Sequence, residues 1–150
     1  MSQVEVSRTI KDATPGRLYE LISDLPRMGE WSPENAGGKW LNGATGPTVG
    51  GKFKGKNRKG WRRWSTIATV VTADPGAEFA FDVTTMGVKV ARWGYRLQPA
   101  EGGTAVTEYW DDHRSPVIAK ITGIAVGARD RPSHNRAGME HTLDRLAAAV

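Results

Sequence analysis

The sequence predicts an α+β domain. Its expected form is a curved, seven-stranded antiparallel sheet wrapped around one long C-terminal helix, with two short helices between strands 1 and 2. Three observations carry this expectation. Strand-like segments follow one another with short turn signals between them, and short connections join antiparallel neighbours. Apolar residues take helical spacing just after the first strand and again in the last third. A sheet and an amphipathic helix each have an apolar side that neither hides alone, so the helix stripe must be buried against one sheet face. A sheet that curves more than the helix fills leaves a pocket between them.

Val4, Val6 and the stretch Arg8–Ile10 alternate as the first strand. Thr14 is expected to cap, and Pro15 to open, a helix whose apolar side is Leu18, Leu21, Ile22 and Leu25. Arg27–Glu34 reads as a short helix or turn ended by Ser32-Pro33. Six further strands are expected near Gly37–Leu41, Gly50–Asn57, Trp61–Thr72, Ala77–Val83, Val88–Gln98 and Thr104–Asp112. Breaks such as Asn42–Pro47, Ala73–Gly76 and Pro99–Gly103 separate them. In the last third, Ile118, Ile121, Ile124 and Ala125 form one helical stripe, and Asn135, Met139, Leu143, Leu146 and Val150 form another. Pro132 either kinks one long helix or starts a second. No internal repeat or linker interrupts the chain, so residues 1–150 are expected to share one core as a single domain.

The 150 residues are 39% apolar and 25% charged, which excludes a fibre or a disordered chain. Zero Cys excludes a disulfide framework, a Cys-ligated metal and a thiol nucleophile, and suits the reducing cytoplasm expected for this chain. The first residues show no basic stretch followed by an apolar run, which argues against a secretory signal. The longest apolar-leaning stretch, Pro116–Gly127, contains Lys120 and falls short of the ~20 residues that span a bilayer, so no membrane insertion is expected.

The formal charge of +5 is unevenly spread. No acidic residue lies between Asn35 and Ala73, where Lys39, Lys52, Lys54, Lys56, Arg58, Lys59, Arg62 and Arg63 supply the excess. Lys52, Lys54 and Lys56 at alternate positions read as the solvated face of a strand that turns Phe53 inward. Without a recognition helix or aromatics alternating with the lysines, the pattern argues against nucleic acid. Gly46–Lys52 looks like the start of a phosphate-binding loop, but Phe53 stands where Ser or Thr is required and a strand follows, so these glycines are turn residues.

Alternation decides which residues can line the pocket. Ala91, Trp93, Tyr95 and Leu97 share one face, and Arg92 and Arg96 the other, so the first set points inward. Trp64, Thr66, Ala68 and Val70 form a second inner set, and Phe79, Phe81 and Val83 a third. A turn at Pro99–Gly103 with Leu97 opposite Thr104 sets Tyr95 opposite Val106, Trp93 opposite Glu108 and Ala91 opposite Trp110. A slip of one residue would instead turn Thr107, Tyr109 and Asp111 inward.

Most of the six Trp are expected in the core, yet indoles in a cavity wall are well suited to orienting planar ligands. The expected ligand-binding residues are Trp64, Thr66, Phe81, Trp93, Tyr95, Val106, Trp110, Asn135 and Met139, with Trp31 as a lid or mouth residue. Glu108, if it faces the cavity, needs a partner or a raised pKa. It would then suit a general base for proton abstraction next to a carbonyl, with Tyr95 polarising that carbonyl. The favoured alternative turns Glu108 outward or pairs it with Arg8. Asn135 needs a hydrogen-bond partner, which a ligand, a water or a strand carbonyl would supply. His134 and His141 lie off the apolar stripe and read as a solvated face, and His113 as an exposed strand end. No metal site is expected, and no Ser stands in a Gly-x-Ser-x-Gly setting.

The order of elements, together with RMGEWSPE at Arg27–Glu34, ATVVTADPG at Ala68–Gly76, VARWGYRLQP at Val90–Pro99, GGTAVTEYW at Gly102–Trp110 and HNRAGMEHTLDRL at His134–Leu146, resembles the START-like superfamily, or helix-grip fold. Within it the sequence is similar to the bacterial polyketide cyclase/dehydrase-like SRPBCC proteins, over nearly the whole chain. The resemblance implies an internal cavity for a hydrophobic, polycyclic or lipid-like small molecule, without naming the molecule. A carrier or sequestering protein is the first functional expectation. An enzyme resembling cofactor-independent aromatase/cyclases, moving protons through Glu108 or Tyr95, is the second. A regulatory or interaction protein without a ligand is the third.

Overall fold

The computed structural model describes residues 3–114 and 131–150, so the stripe of Ile118, Ile121, Ile124 and Ala125 lies outside the described residues. The elements are β1 (Gln3–Lys11), α1 (Pro15–Ser23), a 3-10 helix (Leu25–Glu30), β2 (Asn35–Trp40), β3 (Lys52–Lys59), β4 (Arg62–Asp74), β5 (Glu78–Thr85), β6 (Val88–Ala100), β7 (Gly103–Asp112) and α2 (Arg131–Ala149). The seven strands form one antiparallel sheet in the order β1-β7-β6-β5-β4-β3-β2. The curved sheet, the C-terminal helix and the short helices between the first two strands are those the sequence predicts.

β1 and β2 are the two edges, and the chain crosses from one to the other through α1 and the 3-10 helix. Thr14 caps α1 by accepting from the Arg17 N–H at 3.1 Å, with Pro15 in the first turn. The expected apolar side of this segment, Leu18, Leu21, Ile22 and Leu25, is fully buried in the core. In β3, Lys52, Lys54 and Lys56 are exposed while Phe53 is buried, as strand alternation requires.

The β6–β7 hairpin corrects the expected register. Pro99 and Ala100 continue β6, the turn is the pair Glu101-Gly102, and Gly102 adopts φ +75°. Trp93 therefore pairs with Trp110, Tyr95 with Glu108, Leu97 with Val106 and Ala91 with Asp112. Proline is tolerated because pairing between β5 and β6 stops at Glu78 and Arg96, leaving no strand on that side to need the missing N–H. The displacement is two residues. The period of a strand is also two, so every inward assignment on β6 survives it.

On the inner side, Phe53, Val70, Phe79, Phe81, Tyr95 and Val106 join Leu143 and Leu146 of α2 in one core cluster. Asn135 and Met139 continue the same buried stripe, whereas Val150 follows the last helical residue and is 42% exposed. Pro132 is the second residue of α2. On the outer side, Gly94 leaves room for the ring of its partner Tyr109, whose Cζ would lie 2.2 Å from a Cβ at that position. The Tyr109 hydroxyl donates to Glu78 at 2.7 Å, and the Arg96 guanidinium stacks over its ring. Among the described residues, no helix is long and apolar enough to cross a membrane.

Candidate functional site

The inner sheet face and α2 do not close on each other completely. A cavity of about 220 Å³ remains between them, with walls from β3 to β7, α2 and the segment Met28–Asn35. Trp64 and Thr66 of β4, Phe81 of β5, Trp93 and Tyr95 of β6, Glu108 and Trp110 of β7, and Asn135 and Met139 of α2 all line it. These are the expected residues except for two. Val106 faces inward but is fully buried opposite Leu97, where the core is closed. Trp31 is only 3% exposed and belongs to the core cluster. The N–H groups of Trp31 and Ser32 both donate to the Met28 carbonyl, and this tight turn sends the indole into the core; Met28 and Ser32–Asn35 line the cavity in its place.

Antiparallel pairing places Trp93 against Trp110, with ring centroids 6.2 Å apart and planes tilted by 39°. One step further in, the same ladder sets Tyr95 against Glu108. The Tyr95 hydroxyl donates to Glu108 Oε1 at 3.1 Å, while Glu108 Oε2 is buried with no hydrogen-bond partner among the described residues. Glu108 is 3% exposed, so the favoured expectation of an outward or Arg8-paired carboxylate is overturned. Its neighbour across β1 is the apolar Val6, and Arg8 forms its ion pair with Asp144 of α2. Burial pushes the Glu108 carboxyl up to about 8, opposed only by the Tyr95 hydrogen bond. Burial first, and Glu108 second, push the Tyr95 phenol well above its ordinary value.

Other polar groups meet the cavity towards its end nearest the β3–β4 hairpin. Asn57 donates to Thr66 at 3.0 Å, and His134 Nε2 lies 2.6 Å from Glu34 Oε1. Both His134 and Glu34 line the cavity, which corrects the reading of His134 as part of a solvated face. Arg114 lines it as well, held by two hydrogen bonds to Asp112 at 2.8 and 2.9 Å with its guanidinium 5.9 Å from the centre of the Trp110 ring. No local sequence pattern marks Glu34, which meets His134 across 100 positions. No group of three metal-ligating His, Asp or Glu side chains occurs among the described residues.

Residues 1–150 match the model of a family described as polyketide cyclase / dehydrase and lipid transport. Among solved structures, a polyketide-cyclase-like protein of Corynebacterium glutamicum is 33% identical with a TM-score of 0.55, over 98% of this chain and 82% of that one. A major latex-like protein of Panax ginseng is 11% identical with a TM-score of 0.73, over 99% of this chain and 96% of that one. The di-domain ARO/CYC of the steffimycin biosynthetic pathway is 13% identical with a TM-score of 0.74, over 97% of this chain and 49% of that one. The last two likenesses are of fold alone. No curated protein matches the chain.

Proposed function

Because the chain belongs to the polyketide cyclase / dehydrase and lipid transport family over its whole length, we propose that it carries or sequesters a hydrophobic, polycyclic or lipid-like small molecule in the cavity between sheet and α2. The observation that carries this reading is Glu108 Oε2, buried and without a hydrogen-bond partner among the described residues, in a Trp-lined cavity. A buried polar atom without a partner costs free energy that a ligand's O–H or N–H would recover. In this reading the Trp93–Trp110 pair receives a planar ring, Met139 packs against it from the helix, and the ligand's donor reaches Glu108. The absence of Cys suits work in a reducing cytoplasm.

A second reading, a cyclase- or dehydratase-type enzyme, is favoured by one specific observation. Glu108, pushed up to about 8 by burial, accepts a hydrogen bond from a phenol, so two titratable groups stand together in the cavity wall. An ionised Glu108 can take a proton from a carbon next to a ligand carbonyl, and as that carboxylate is neutralised the Tyr95 hydroxyl can leave Glu108 Oε1 and donate instead to the oxygen on which charge develops. No cofactor is needed for that step.

Native mass spectrometry of protein purified from its own host, followed by extraction, tests the first reading. A co-purifying apolar compound that is lost in Met139→Trp, which fills the cavity, is the expected result. A wild-type protein that carries no such compound, and takes up no apolar fluorophore that Met139→Trp excludes, would reject the reading. Glu108→Gln separates the two readings. A carrier keeps most of its ligand affinity, whereas an enzyme keeps the ligand and loses about 100-fold or more in turnover.

A further inference from the structure

The turns that join β3 to β4 and β5 to β6 lie at the same end of the sheet, because successive strands alternate in direction. The cavity walls pass from buried Phe81 and Tyr95 to half-exposed Asn57, Trp64 and Thr85 towards this end, which is therefore where the cavity approaches the surface. Both turns carry large apolar side chains on their tips. Trp61 is 79% exposed on the first, and Met86 is 96% exposed on the second, with Val88 beside it at 44%. Single apolar residues on a surface are ordinary, but two tips at one end of the sheet that both present them near the mouth of a cavity are not.

The first tip is also strongly cationic. Lys59 pairs with Arg62 and Arg58 with Arg63 at the base of the two-residue turn Gly60-Trp61, where Gly60 takes φ +63°. Arg63 donates to the carbonyls of Gly60 and Arg62 at 2.6 and 3.0 Å, and Arg62 stacks on the Trp61 ring at 4.5 Å. These contacts brace the tip with its charges outward. Among the described residues, none of these four cations has a carboxylate partner, whereas Arg92 and Lys89 share Asp82, and Arg114 pairs with Asp112. Residues 35–73, which include this tip, contain no acidic residue.

An indole held among arginines and lysines matches the boundary of an anionic bilayer. The ring settles at headgroup depth, the long cationic side chains reach the phosphates, and methionine and valine add apolar area. Sequence-tolerant binding of single-stranded nucleic acid needs successive stacking platforms along a basic track, and here only one exposed ring is offered. We propose that the Gly60-Trp61 and Met86-Gly87 hairpin tips form a peripheral docking surface for anionic phospholipid membranes, holding the open end of the cavity against the bilayer. Only side chains enter the interface. A hydrophobic ligand then passes between bilayer and cavity without crossing bulk water.

The test is co-sedimentation of the full chain with large unilamellar vesicles of phosphatidylcholine, with and without phosphatidylglycerol, over a series of salt concentrations. Binding is expected to require phosphatidylglycerol and to weaken as salt rises. Arg58→Gln and Arg62→Gln should each lower the partition constant about fivefold, and Trp61→Ala combined with Met86→Ser should lower it at least as much. Circular dichroism and thermal melting show whether each variant is folded, and Lys39→Gln, away from both tips, should bind close to wild type. Equal binding to both vesicle types, binding unchanged by the Trp61 and Met86 substitutions, or no binding at low salt overturns the proposal. So does a duplex or single-stranded oligonucleotide that binds through the same arginines and is not displaced by phosphatidylglycerol vesicles. Because Met139→Trp leaves the tips intact, loss of cavity binding and loss of docking are read separately.

Discussion

In the folded protein Glu108 keeps its proton up to about pH 8, while in the unfolded chain it titrates from the ordinary value of 4.5. The folded value is the higher, so the ionisation of this group costs nothing below pH 4.5, and the native state loses stability as pH rises from there to about 8. The full span is on the order of 5 kcal/mol. Asp82 works in the opposite sense, since its hydrogen bond from Arg92 lowers its pKa and its contribution is lost in acid. Denaturant melts from about pH 5 to about pH 9 should therefore show wild type losing stability relative to Glu108→Gln, whose amide does not titrate; parallel curves would place Glu108 in water. That Glu108 stays unpaired with Arg8 was not legible in the sequence, because it depends on which residue faces it from β1, and Val6 rather than a cation does so. Tyr95, Trp93 and Trp64 were legible, since alternation along a strand fixes a side without fixing a register. The meeting of His134 with Glu34 was not, because it is made only by the docking of α2 against the turn before β2.

At the level of single elements, each strand was found to within a few residues because glycine, proline and asparagine mark the turns. The main departure, the continuation of β6 through Pro99, depends on β5 being shorter than β7 at that end, which no local pattern encodes. The contact between β6 and β7 is tightest at Gly94, where the Tyr109 ring crosses the strand. Gly94→Ala must push that ring off the sheet and weaken its hydrogen bond to Glu78. A loss of about 1–3 kcal/mol in urea melts is expected, with Tyr109→Ala in the same background recovering part of it by removing the clash. A fully stable Gly94→Ala would mean that the ring has free space to move. In α2, Asn135, Met139, Leu143 and Leu146 were legible as one stripe, yet its two halves do different work. Leu143 and Leu146 close the core, and Asn135 and Met139 border the cavity.

Across the whole molecule, the sheet is completed by its first and last strands pairing along their full lengths, from Gln3 opposite Asp111 to Lys11 opposite Gly103. Removing residues 1–11 would uncover β7 and part of the core lined by Val4 and Ile10. Such a truncation is expected to lose cooperative thermal unfolding, observed by calorimetry; a sharp transition near the wild-type temperature would show that β1 is dispensable. Long-range pairing of this kind also slows refolding, because loop closure precedes the contacts that reward it. The same topology bears on synthesis. As the polypeptide leaves the ribosome, β1 is made long before β7, its strand partner among the described residues. At ~5–20 residues per second, it waits roughly 5 to 20 s with its valines and isoleucine uncovered. During biogenesis, that interval is when a holdase would find this molecule.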